Sequence, residues 1–337
     1  MGKNGPPSLA FGTPGRIWMV CRPGGGQRQA NRTWSGRLRP ELAFGHRLAL
    51  LGMAVLLRSA DAGPGALQTS GWRPRRTASA GSCPATRRSA PEVPIHRLVL
   101  WNIDLTLVDV GRVTRAAYAD AFRKVTGRPL VRLPQMAGRT ESEIFFEALA
   151  LNQADAPASA PAGEEVLGRF AAELTSAFRA RRDLLTEQGR LLPGARAAVA
   201  EVGGLAGVVQ TLLTGALKPN AIEKLRAFAL ERFFDTEIGG YGSEVFPKGA
   251  LLLNARTRAA EKYGAEFTEE ATVYIADSSR DVAAARMGGA RSVGVASGRS
   301  SASELRDAGA DAVLEDLSDT ANVVRAVDRL TTSVPAG

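Results

Sequence analysis

The chain alternates short, wholly apolar runs with longer amphipathic ones. Residues 98–101, Leu-Val-Leu-Trp, are the pattern of a strand buried on both faces. From 110 to about 204 the period becomes helical. Ala117, Ala121 and Val125, flanked by Tyr118 and Phe122, form one stripe; Leu167, Phe170, Leu174 and Phe178 form another. Residues 141–151 read as a short helix, 155–163 as an Ala/Pro/Ser loop, and Pro193-Gly194 as the opening of a helix over 195–202. No strand pattern interrupts this insert. Beyond it, strands are predicted at 208–213, 236–239, 272–276, 291–295 and 312–314. Helices are predicted between and after them, at 219–230 (Pro219 suiting its first turn), 250–263, 280–287, 301–308 and 318–330. Repeated strand–helix units predict an α/β fold, a doubly wound parallel sheet with helices on both faces. A small all-helical domain is inserted after the first strand.

Charge changes the picture at one end. The formal net charge of +9 suggests a nucleic-acid partner until it is mapped: residues 1–95 carry 14 Lys/Arg against 3 Asp/Glu, leaving the rest slightly acidic. The folded part therefore has no electrostatic footprint for nucleic acid. Residues 1–95 are rich in Gly, Pro, Arg and Ser, without a sustained period, and read as a basic, disordered extension or an over-extended start, with a targeting peptide as the alternative. Their apolar run at 48–57 is too short to span a bilayer; no membrane partner and a cytoplasmic location are expected. The expected division is 1–95 as the extension, 96–109 with 205–337 as the α/β core, and 110–204 as the helical insert. Both cysteines, Cys21 and Cys83, lie in the extension, and nothing after Asp104 is Cys or His. Disulfide frameworks, zinc sites and Ser-His or Cys-His catalysis are thereby excluded for the core.

The remaining chemistry is carboxylate, hydroxyl, Lys and Arg, and it gathers at strand ends, where open α/β sheets bind ligands. Asn102, Asp104 and Thr106 follow the first strand. Thr214 closes the strand at 208–213, Lys248 precedes a helix, and Asp277 and Asp281 follow the strand at 272–276. In this order, Asn102-Ile103-Asp104-Leu105-Thr106, Leu213-Thr214-Gly215, Pro247-Lys248 and Asp277-Ser278-Ser279-Arg280-Asp281 resemble the four motifs of the haloacid dehalogenase-like superfamily, specifically its branch of phosphoglycolate phosphatase-like proteins. The resemblance covers roughly 96–330. The interval Asn102–Thr214 is more than three times the interval Thr214–Lys248, which resembles members with a helical cap inserted after the first motif.

The resemblance implies a Rossmann-like core and Mg²⁺-dependent transfer of a phosphoryl group from a small phosphorylated metabolite through an aspartyl-phosphate. Residue 102 would be the nucleophile and Asp104 the general acid/base. Thr214 and Lys248 would neutralise the phosphoryl oxygens. Mg²⁺ would be held by the Asp104 carbonyl, Asp277 and, weakened, Asn102, with Asp281 in support. Asn102 is the decisive departure, because a neutral amide is a poor nucleophile and gives no acyl-phosphate. Ala216 and Ala276 depart from the family pattern too. A catalytically silent protein that binds a phosphorylated ligand, or acts as a scaffold or regulator, is the alternative reading. Single residues also have plainer readings: Asp281 as a carboxylate in the first turn of its helix, Thr214 as a helix cap, Lys248 as a solvated lysine. Thr106 reads as a loop-stabilising hydroxyl, Trp101 as core, and Arg139 equally as a phosphate contact or a surface arginine.

Overall fold

In a computed structural model of the chain, residues 96–152, 163–244 and 247–331 are described. The expectations for 1–95, and for the loop at 155–163 apart from Gly163, lie outside the described residues. Among these, no helix is long and apolar enough to cross a membrane.

Strand β1 (Arg97–Trp101) is buried along its whole length and lies between β4 (Val208–Thr214) and β6 (Thr272–Ala276), parallel to both. With β5 (Gly240–Tyr241), β7 (Arg291–Val295) and β8 (Ala312–Leu314) it makes a six-stranded parallel sheet in the order β5-β4-β1-β6-β7-β8. The alternation of β1 explains its wholly apolar sequence: Leu98 and Leu100 join one hydrophobic cluster and Val99 and Trp101 the other. The first cluster sits under α7 (Lys248–Tyr263) and α8 (Ser279–Met287). The second lies under α5 (Ala195–Gly203), α6 (Lys218–Ala227) and α10 (Thr320–Thr331). A short helix, α9 (Ala302–Asp307), connects β7 to β8. The sheet is doubly wound, as its sequence periodicity predicts.

Between β1 and β4 run α1 (Gly111–Thr126), α2 (Glu141–Leu151), α3 (Gly163–Arg179) and α4 (Leu184–Gln188). Both predicted stripes are buried: α1 packs along α3, Tyr118 against Phe170 at 5.3 Å between ring centroids, with Phe145 of α2 stacked on Phe170 at 4.1 Å. Thr140 and Glu143 close a capping box that starts α2. Two details differ from expectation. The insert is not free of strands: β2 (Val108–Asp109) and β3 (Arg190–Leu191) pair antiparallel at its root, each too short to leave a pattern. Its last expected helix, α5, packs on β4 and α10.

The strand expected at 236–239 is a correction. Those residues form no strand, and the pairing with β4 is Leu213 with Gly240 and Thr214 with Tyr241. Tyr241 donates its hydroxyl to the Thr236 carbonyl, which holds the preceding residues as a loop.

Candidate active site

The carboxyl ends of β1, β4 and β6 open into a cleft of about 700 Å³ lined by Asn102, Asp104, Thr214, Lys248 and Asp277. The loop after β1 is folded tightly on itself: the amides of Thr106, Leu107 and Val108 all donate to the Ile103 carbonyl, and Leu105 adopts φ +60°. Such a non-glycine conformation costs about 1–3 kcal/mol and persists only where the surroundings hold it. Here Ser297 does so, its hydroxyl donating to the Leu105 carbonyl at 2.7 Å.

Asn102 is buried and fully engaged. Its Nδ2 donates to Asp277 Oδ1 at 2.8 Å, to the Asp104 carbonyl at 2.9 Å and toward Thr106 Oγ1 at 3.2 Å. Its Oδ1 accepts from Lys248 Nζ at 3.2 Å. Thr106 donates to Asp277 Oδ1 at 2.9 Å, so its hydroxyl braces the cluster as well as the loop. Lys248, at the first position of α7, also donates to Asp281 Oδ1 at 2.5 Å. Asp281 is completely buried and takes two more bonds, from Tyr274 Oη at 2.9 Å and Ser278 Oγ at 2.5 Å. The same Ser278 hydroxyl caps α8 by accepting from the Asp281 amide. Asp281 is thus a buried brace for Lys248 and does not line the cleft. Burial raises the Tyr274 hydroxyl well above its ordinary value, and the Asp281 charge adds to this. Burial also pushes the Asp277 carboxyl up to about 7, with Asp281 adding and Thr106, Lys248 and Asn102 opposing. Thr214 is buried at the end of β4, accepting from the Ala216 amide at 3.2 Å.

Two residues of this cleft carry no signal that the motifs capture. Lys224 on α6 is buried and donates to both carboxylate oxygens of Asp104, at 2.7 and 2.6 Å. A lysine beside Ala221 and Leu225, on the apolar face of its helix, is the clue the sequence holds. Glu141, the first residue of α2, lines the same cleft. Burial pushes its carboxyl up to about 8, Lys224 opposing and Asp104 adding. Arg139 lines the cleft too, but it is ion-paired to Glu147 and donates to the Gln135 and Glu143 carbonyls. Trp101 is core, its indole donating to Gln210 at 2.9 Å.

Residues 99–286 match the family model of haloacid dehalogenase-like hydrolases. The chain belongs to the haloacid dehalogenase-like hydrolase family. A HAD-hydrolase-like model also matches residues 253–320 of this family member. Solved structures similar to it include three from bacteria. A predicted phosphatase from Clostridium acetobutylicum shares 17% identity with a TM-score of 0.50, covering 68% of this chain and 99% of its own. A hydrolase from Pseudomonas syringae shares 23% at 0.49, covering 67% and 97%. A predicted phosphoglycolate phosphatase from Haemophilus somnus shares 18% at 0.46, covering 68% and 97%. No curated protein matches the sequence. At 17% identity the likeness to the Clostridium acetobutylicum structure shows the fold alone.

The Mg²⁺ that family resemblance implies does not fit the residues present in this hydrolase-family cleft. A hard cation needs oxygen lone pairs, yet between the Asp104 carbonyl and Asp277 stands the Asn102 –NH₂ group, donating to both. Asp277 Oδ2 is buried without a hydrogen-bond partner beside Gly298, which has no side chain to cover it, but a single free oxygen does not make a cation site. Among the described residues no three His, Cys, Asp or Glu are grouped to hold a metal ion.

Proposed function

We propose that the cleft binds the phosphoryl group of a small phosphorylated metabolite, and that the chain is a phosphatase-type hydrolase by descent whose covalent step is crippled at Asn102. The observation that carries this is the neutral amide at the end of β1, in contact with Lys248 and Asp277. Binding falls to the Thr214 hydroxyl and the Lys248 ammonium, supplemented by Arg115 and Arg299, which line the cleft and pair with no carboxylate among the described residues. Asp104 is the general acid/base of this reading, its carboxylate oriented by Lys224. The step that fails is the first. An amide oxygen attacking phosphorus would leave an O-phosphorylated imidate cation, where a carboxylate leaves an uncharged acyl linkage, so the amide is far the poorer nucleophile.

In this reading helices α1 to α4, residues 111–188, form a cap over the cleft, and α5 belongs to the core. The contact of Glu141 with Gly215, amide to carbonyl at 3.0 Å, supports that role. Titration of inorganic phosphate into the full chain and into Thr214→Val tests the reading. The variant removes one hydroxyl and should bind at least about tenfold more weakly, the weight of one hydrogen bond to a charged ligand. Equal affinity in the two proteins would sink it.

A further inference from the structure

The direction of the hydrogen bonds around Asn102 is fixed by chemistry. Lys248 can only donate, so the amide edge that faces its Nζ must be the oxygen. The –NH₂ must then face the Asp104 carbonyl and Asp277, both of which can accept. Thr106 confirms the sense, because its own proton goes to Asp277 Oδ1. Turning the amide over would set its –NH₂ against the Lys248 ammonium at 3.2 Å and its oxygen against two other oxygens. A carboxylate at 102 could serve Lys248 with one oxygen and a cation with the other. An amide cannot serve both.

We propose that the Asn102 amide stands in for a divalent cation, so that this cleft is a metal-free site for a tetrahedral oxyanion. This rests on the phosphoryl reading above and goes beyond it by naming what replaces the metal. Two N–H groups now bridge the acceptors that a cation would otherwise have to neutralise. Without a cation, an aspartate at 102 would press a second carboxylate against Asp277 and against an incoming anion; the neutral residue removes both repulsions. The rest of the lining favours an anion. Arg115 and Arg299 line the cleft and pair with no carboxylate among the described residues, and Glu141, pushed up to about 8, is mostly uncharged at neutral pH.

The test is calorimetric titration of the full chain and of Asn102→Asp, first with MgCl₂ alone, then with inorganic phosphate in chelator and in Mg²⁺. The natural chain should bind Mg²⁺ at least about a hundredfold more weakly than the variant, beyond what loss of an outer-shell partner does to metal affinity. Its phosphate affinity should be unchanged by chelator, whereas that of Asn102→Asp should depend on Mg²⁺. Melting of the natural chain should likewise be insensitive to Mg²⁺, a readout that stands even if the variant folds poorly. Comparable Mg²⁺ binding by the two proteins overturns the proposal. So does a Mg²⁺-dependent rise in the melting temperature or phosphate affinity of the natural chain, or a variant that folds yet binds no Mg²⁺. Phosphate binding in neither buffer removes the phosphoryl reading and the anion site with it, while the Mg²⁺ titration still judges the role of Asn102.

Discussion

The Lys248–Asp281 pair is the point at which the cleft is most exposed to a single change. Both side chains are almost wholly buried, at 4% and 0% exposure, with Nζ 2.5 Å from Oδ1. Lys248→Met keeps the length of the side chain and removes the charge. Asp281 would keep its bonds from Tyr274 and Ser278 but would sit in the core as an uncompensated carboxylate. Removing one partner of a buried pair costs about 3–5 kcal/mol. At about 2–4 °C per kcal/mol for a domain of this size, the melting temperature should fall by roughly 6–20 °C. Adding Asp281→Asn removes the stranded charge and lets Tyr274 and Ser278 keep partners, so the double variant should recover most of the loss. Urea unfolding of the four proteins, followed by circular dichroism, gives the coupling directly. A Lys248→Met cost below about 1 kcal/mol, or additive single and double costs, would show that the substitution strands no charge, since such a pair has no coupling.

Glu141 predicts a pH dependence. Its carboxyl stands at about 8 in the fold against an ordinary 4.5, so the folded chain keeps a proton that the unfolded chain releases. This contribution is complete below about pH 4.5 and is lost as pH rises through 8, by at most about 1.4 kcal/mol per unit. Glu141→Gln should match the parent near pH 4 and be the more stable protein at pH 8, as denaturant melts at the two pH values will show. Asp277, raised from 3.8 to about 7, contributes with the same sign in both proteins. Gly215 allows a close approach of the insert to the core, for a Cβ there would meet the Arg139 carbonyl at 1.8 Å. Gly215→Ala should therefore loosen the seating of α2, raising amide exchange over residues 136–151 while leaving β6 and β7 protected; unchanged exchange would mean the backbones do not meet there.

How much was legible follows from which interactions a linear pattern records. β6 to β8 fall where the sequence puts them, because each centres on a short stretch of β-forming apolar residues bounded by polar ones. The residues that converge on the cleft were legible for the same reason: each sits at the end of such a run or the start of the next helix. β5 leaves no such signal, because two residues of edge pairing carry no periodicity. Lys224 leaves no motif signal, because its role depends on which face of α6 turns toward Asp104, although its place among Ala221 and Leu225 marks it as unusual. The substitution at 102 was visible. Its consequence, an amide bridging Asp104 and Asp277 under Lys248, needed the geometry.

In the proposed reading, Asn102 alone stands between this cleft and covalent phosphoryl transfer. The most direct test of it is p-nitrophenyl phosphate hydrolysis with Mg²⁺, comparing the full chain with Asn102→Asp. The aspartate should raise turnover by roughly a thousandfold or more, about 4 kcal/mol of barrier at about 1.4 kcal/mol per tenfold. An Asn102→Asp protein that folds and binds Mg²⁺ yet hydrolyses the ester no faster than the natural chain would contradict it.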